Sequence, residues 1–386
     1  MNQKFLIIKK SRLKAIHNKH CWIFSGSILD TNAQKGDIVQ VLDPDKNLLA
    51  YAFFTDDPSI KAKIFHFSDS EISPLSENFW SKKLSQALSL RKTLNIQSNA
   101  FRLIFAEADC MPGLIADVYD DTLVLLTYHI GIDKIFSPLI QAFNSLGFKN
   151  IYLKKIPHDS NLSIGWITGK SVVPVKIYEY NVNFLVDFIN GQKTGFYLDQ
   201  RENRFLLQKY APGKNVLNLC SYTGGFSLHA LAAGANIVHS VDLSETALNT
   251  LNQNITLNNF DSNKHQAFQQ DCFNFLDSAQ KNFYDIIILD PPAFAKSQSS
   301  VPNAVKGYRR LNLKALKIIR PGGLIFTFSC SQRITPDLFR KIIFEASAQS
   351  GRNIQIIHTL SHATDHPINI FHPETEYLKG LVLAVF

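Results

Sequence analysis

Cysteines are few in this chain and have no spacing that would pair them: there are five, an odd number, with no CxxC. That excludes a disulfide framework and a zinc ribbon, so each thiol stands alone. Long apolar runs are also missing. None approaches the ~20 residues of a membrane span, and at the N-terminus FLII gives way at once to KKSRLK, too short an apolar stretch for a secretory signal. The expectation is a cytoplasmic protein with no membrane partner. No internal repeat or low-complexity tract is present. Acid is absent locally: residues 1–19 hold six Lys or Arg and no Asp or Glu, and residues 291–336 hold eight and again none. With a net charge of +8, these runs favour a polyanionic partner. The plainer reading of the second run is a solvated helix face.

A chain of 386 residues exceeds one ordinary core and predicts two or three domains. Residues 1–70 alternate short apolar runs with turn signals (HCWIFSGSI, KGDIVQVLDPDKNLLAYAFF, IKAKIFHF), a β-rich module. A helical period follows in NFWSKKLSQALSLRKTL. Strand-like LIADVY, TLVLLTY and NIYLKK around the helical FSPLIQAFNSLG then make residues 71–180 an α+β unit. Within residues 181–386 strand and helix alternate from residue 215 onward, which predicts a doubly wound parallel sheet. NIQIIHTL and LKGLVLAVF close it with no helix between them and so can pair antiparallel. Such sheets bind ligands at the carboxyl ends of their strands.

Three features stand there in order. CSYTGGFS, residues 220–227, brings Gly224 and Gly225 to a turn at a helix N-terminus. Asp242 ends the second strand, where a carboxylate can accept both hydroxyls of a ribose, and Asp271 follows the third, placed for an adenine edge. The set indicates an adenosine-containing cofactor. The dinucleotide fingerprint GxGxxG is absent, and a single GG step behind Ser221, Tyr222 and Thr223 suits S-adenosylmethionine better than NAD.

From FINGQKTGFYLDQRENR through NLCSYTGGFS, VDLS, LDPPAF and FSCS, the chain resembles the S-adenosylmethionine-dependent methyltransferases of large-subunit ribosomal RNA. It is most similar to the PUA-domain-containing 23S rRNA cytosine-C5 enzymes, over almost the whole length. The resemblance implies a class I methyltransferase fold, a Rossmann-like α/β sheet, behind an N-terminal PUA RNA-binding domain (1–70) and a middle α+β domain (71–180). It carries cofactor-binding roles to Gln192, Lys193, Tyr197, Arg201, Asn218, Ser221, Tyr222, Thr223, Gly224, Asp242, Leu243, Asp271, Cys272 and Asp290. Lys193 or Arg201 would pair with the methionine carboxylate. Substrate contacts fall to Pro291, Pro292, Phe294, Lys296, Arg309, Arg310 and His366.

In such a sheet strands four and five are neighbours, so Asp290 at the end of IIIL and Cys330 at the end of LIFTFSC emerge together. A thiolate adding to C6 of cytosine makes C5 nucleophilic, which gives Cys330 the covalent role, with Asp290 as the acid at the N3 edge. The alternative for Cys330 is a buried strand-end residue. One departure from the family pattern stands out: Pro291 and Pro292 occupy the place of a second cysteine, and D-P-P before an aromatic also fits N-methylation, guanine N7 first. A non-catalytic RNA-binding ribosome-assembly factor is the reading outside enzymes. Cys220 is expected in the core or cofactor pocket, while Cys21, Cys110 and Cys272 have no partner motif. His358, His362 and His366 do not predict a metal site, because Pro367 and the β-like run before them break a helix. The expected partner is 23S rRNA, naked or in an assembling subunit, and the expected state a monomer or weak homodimer.

Overall fold

A computed structural model describes residues 3–295 and 297–386. The chain forms two compact units: Met1–Val175 with Val186–Leu198 and Thr364–Thr375, and Lys176–Leu185 with Asp199–Ala363 and Glu376–Phe386. Among the described residues, no helix is long and apolar enough to cross a membrane.

The first unit opens on a six-stranded sheet of Phe5–Ile8, Trp22–Phe24, Ile28–Thr31, Ile38–Leu42, Leu48–Phe54 and Ile60–Phe67. Successive side chains on a strand point to opposite faces, and here both faces find cores. Ala50, Ala52, Ala62 and Ile64 pack with Leu6 and Ile8. Tyr51, Phe53 and Phe65, from the same strands, pack with Trp80 and Leu84 of the helix Glu77–Thr93. The β-rich module and the α+β segment thus share a core. A five-stranded sheet (Ala100–Phe105, Leu114–Tyr119, Thr122–Thr127, Asn150–Lys155, Gly165–Thr168) completes it, with the helix Ile132–Ser145 joining its one parallel pair among the described strands.

The second unit carries the alternating pattern. Beside the hairpin of Val175–Glu179 and Val182–Val186, its main sheet is built of β1 (Asn215–Leu219), β2 (Ile237–Asp242), β3 (His265–Gln269), β4 (Ile286–Leu289), β5 (Gly323–Ser329), β6 (Ile354–Leu360) and β7 (Lys379–Val385). Its helices are α1 (Arg201–Gln208), α2 (Gly225–Ala232), α3 (Glu245–Leu257), α4 (Cys272–Ser278), α5 (Val301–Ile318) and α6 (Pro336–Ser350). The sheet order is β3-β2-β1-β4-β5-β7-β6. Only β7 runs antiparallel, inserted between β5 and β6, so the two closing strands pair as their missing helix predicts. Ile286, Ile287, Ile288 and Leu289 are fully or almost fully buried, as a central parallel strand covered on both faces requires.

Candidate active site at the strand ends

Register levels the carboxyl edge of the sheet. Leu219 stands opposite Val241 on one side and Leu289 on the other, and Leu289 opposite Thr327. Cys220, Asp242 and Asp290 therefore leave the sheet abreast, at the point where strand order reverses between β1 and β4.

The loop after β1 is wound through the left-handed region at Cys220 (φ 57°), Tyr222 (φ 49°) and Gly224 (φ 86°). Two of these carry side chains, a strain that persists only where surroundings enforce it. The enforcement is visible. Asp242 accepts from the Tyr222 N–H (2.8 Å) through one oxygen and from the Ser244 N–H (2.9 Å) through the other, bracing both loops. A Cβ on Gly224 would fall 2.6 Å from Leu251. Beneath Gly225 passes Arg204, whose guanidinium makes a two-pronged buried pair with Glu179 (2.7 and 2.6 Å). His229 Nε2 donates to the same carboxylate (3.0 Å), and its Nδ1 accepts from the Gln208 amide. Burial opposes the Glu179 charge, yet Arg204 and His229 hold its carboxyl down at about 2.

The residues present fit an S-adenosyl cofactor. Asp242 keeps acceptor capacity beyond its two backbone bonds, since a carboxylate offers about four lone-pair positions. Ser221 Oγ, Thr223 Oγ1 and Asn218 Oδ1 are buried with no hydrogen-bond partner among the described residues. Leu243, directly after Asp242, is 67% exposed, an apolar surface beside a polar clamp. Asn218 anchors a buried chain through Ser227, Ser240 and His265 that ties β1, α2, β2 and β3 together. Asp271 caps α4 by accepting from Phe273 and Asn274 N–H through one oxygen. Cys272 is not without a neighbour in space: Cys220 lies beside it, and their interaction raises the Cys220 pKa and lowers that of Cys272. Asp242 and Asp290 also lie close enough to push Cys220 up. Cys21 and Cys110, in the first unit, make a second such pair.

Beyond β5, Cys330 Sγ lies 3.8 Å from the Pro291 carbonyl, against the turn that follows Asp290. Ser331 holds that turn from the other side: its Oγ accepts from Ala295 N–H (3.2 Å) and bonds the Tyr308 hydroxyl (3.0 Å). The half-buried Phe294 ring packs on Tyr308 at 4.6 Å. Sequence reasoning missed Lys379, which register sets opposite Ser329. Its ammonium donates to the carbonyls of Ser331 (2.7 Å) and Ile334. Burial pushes Lys379 down to about 8, while the neighbouring Cys330 and Glu376 resist that fall. A lysine opening an apolar strand carries no sequence signal of this kind.

The other expected residues make the following contacts. Arg201 is fully buried at the start of α1, its Nε 3.6 Å from Glu202. Gln192, Lys193 and Tyr197 belong to the first unit, where Tyr197 donates to Gln192 (2.7 Å) and Lys193 covers the Tyr197 ring at 4.6 Å. His366 is also in that unit, buried, its Nδ1 2.9 Å from Asp365. Arg309 and Arg310 sit ~12 Å along α5 from its start, engaged by Glu345 and the Phe273 ring. Lys296 lies outside the described residues. His358 bonds Tyr210, and His362 accepts from the N–H groups of Tyr377 and Leu378.

Sheet order, glycine turn and strand-end acid define a class I S-adenosylmethionine-dependent methyltransferase. A family model for S-adenosylmethionine-dependent methyltransferases matches residues 142–375, and one for a PUA-like domain matches residues 6–67. A ribosomal RNA large subunit methyltransferase I from Aeromonas salmonicida is 38% identical over 98% of both chains. One from Shigella boydii is 34% identical over 98% of this chain and 99% of its own. The chain belongs to the ribosomal RNA large subunit methyltransferase I family. A crystal structure of a methyltransferase complexed with SAH superposes with a TM-score of 0.87 at 25% identity, covering 98% of this chain and 99% of that one.

Proposed function

We propose that the protein methylates C5 of a cytosine in 23S rRNA, using Cys330 as a covalent nucleophile and Asp290 as its acid. The observation that carries this is the contact of Cys330 Sγ with the Pro291 carbonyl, beside Asp290. S-adenosylmethionine supplies an electrophilic methyl group and no activation of the base, so the protein must make C5 nucleophilic. The Cys330 thiolate adds to C6, and Asp290 protonates or hydrogen-bonds N3 as the ring takes up the electron pair. After C5 has gained the methyl, water takes the C5 proton, the C6–S bond breaks to release the thiolate, and N3 gives back to Asp290 any proton it received. Lys379, beside Cys330, favours the anionic sulfur. RNA capture is assigned to residues 1–70, and the work to the cytoplasm, where large subunits assemble.

The test uses rRNA carrying 5-fluorocytosine. Fluorine at C5 cannot leave as a proton, so the enzyme should methylate once and remain attached through a bond that survives denaturation. Cys330→Ala should abolish turnover and trapping while S-adenosylmethionine still binds. Asp290→Asn should slow turnover by ~10²–10⁴-fold. Full methylation by Cys330→Ala, with no adduct on a denaturing gel, would overturn the mechanism and favour a nitrogen acceptor.

A further inference from the structure

His20 stands just ahead of the strand Trp22–Phe24, and His372 and Glu374 lie near the other end of the chain, in the segment Thr364–Thr375 of the same unit. Their side chains converge: the three candidate donor atoms all lie within 4.8 Å of one another. His20 Nε2 is 3.5 Å from Glu374 Oε1, and His372 Nδ1 is 3.4 Å from Glu374 Oε2. Both separations exceed the ~2.7–3.2 Å of an N–H···O hydrogen bond. They run to the two different oxygens of one carboxylate, and each is near the ~3.4 Å between two ligand atoms that each stand about 2.0–2.1 Å from one tetrahedral zinc.

The surroundings are built for that role. The His372 side chain is 1% exposed and its Nδ1 makes no hydrogen bond among the described residues. The Trp22 ring packs edge-on against it at 4.5 Å, fixing its plane. His20 Nδ1 lies 3.2 Å from the Trp22 carbonyl. The Trp22 N–H reaches the same nitrogen (3.3 Å), so the Trp22 backbone fixes the ring with Nε2 toward Glu374; in the tautomer that carries its proton on Nδ1, the carbonyl takes that proton and the Nε2 lone pair is the one a metal would use. His20 and Glu374 keep partial exposure at 21% and 35%, so an ion can enter and a water can complete four-coordination. Two imidazoles and one carboxylate favour zinc or a similar transition ion over magnesium or calcium, which prefer all-oxygen sets.

We propose that His20, His372 and Glu374 form a structural site for a zinc-class divalent cation, which pins the Thr364–Thr375 segment to the N-terminal β-rich module. The site shares no residue with the methyl-transfer chemistry and does not depend on it. Placing the ligands at opposite ends of the chain hides the set from any spacing rule, which is why the sequence alone predicts no metal.

The experiment titrates chelator-treated, full-length protein with zinc chloride against a chromophoric competitor. One equivalent should bind, and His20→Ala and Glu374→Gln should each weaken binding at least ~100-fold. Unchanged S-adenosylmethionine affinity and circular dichroism would show both variants folded. Cobalt loading should give the visible bands of a tetrahedral nitrogen–oxygen site, with no sulfur-to-metal charge transfer. Less than one equivalent of zinc, equal affinity in both variants, or a thiolate band assigning the ion to Cys21 and Cys110 would each overturn the proposal.

Discussion

Asp242 illustrates what one residue at this site has to do. Its two oxygens fix Tyr222 and Ser244 N–H, and the same carboxylate is the one we propose meets the cofactor ribose. Asp242→Ala removes a charged acceptor and loosens the left-handed loop together, so S-adenosylmethionine affinity should fall at least ~tenfold. Calorimetry returning the wild-type affinity would take Asp242 out of the site. Its position at the strand end was legible because an acid at the end of a second apolar run, a fixed distance past a glycine turn, is a local pattern. Ser331 and Lys379 were not. Each acts through atoms that only strand pairing brings close, and a lysine beginning KGLVLAV reads as a solvated strand end. Likewise, no spacing rule links Cys220 with Cys272, whose thiols meet only because β1 and β3 flank β2.

At the scale of elements, the glycine turn rests on the helix beneath it. Gly225 has no side chain where Arg204 passes, and Arg204 is there to neutralise Glu179 on the hairpin strand Val175–Glu179. Glu179→Gln would leave a buried guanidinium uncompensated, a loss of ~3–5 kcal/mol at neutral pH. The sign with pH follows from the depressed carboxyl. Its folded value of about 2 lies below its ordinary 4.5, so the unfolded chain binds the extra proton first. The stabilisation is complete above 4.5 and drains as pH falls toward 2. Urea unfolding across that window should show wild type losing more stability than Glu179→Gln, and parallel curves would exclude the pair as the source. The strands themselves were readable, since buried parallel strands are unbroken apolar runs such as IIIL. The Glu179 pair was not, because EYN gives no hint that its acid is fully buried.

Over the whole molecule the +8 charge is divided unequally in use. Much of the acid-free run after Asp290 is already engaged, by Arg309 with Glu345, Lys314 with Asp277, Arg320 with Asp285 and Arg310 on Phe273. The N-terminal run differs. Lys10, Arg12 and Lys14 are exposed around the one-turn helix Leu13–His17 and make no ion pair with an acid among the described residues. Unengaged cations on a PUA-like module can displace counterions from RNA, and each phosphate neutralised adds about 0.7–0.9 to the slope of log affinity against log salt. Replacing Lys10, Arg12 and Lys14 together with Gln should therefore lower that slope by ~2–3 in filter binding to 23S rRNA. S-adenosylmethionine affinity should stay unchanged. Arg309→Gln with Arg310→Gln, whose charges are held within the fold, should move it less. A salt slope unaltered by the first triple variant but reduced by the second pair would transfer RNA capture from the N-terminal module to the face of α5.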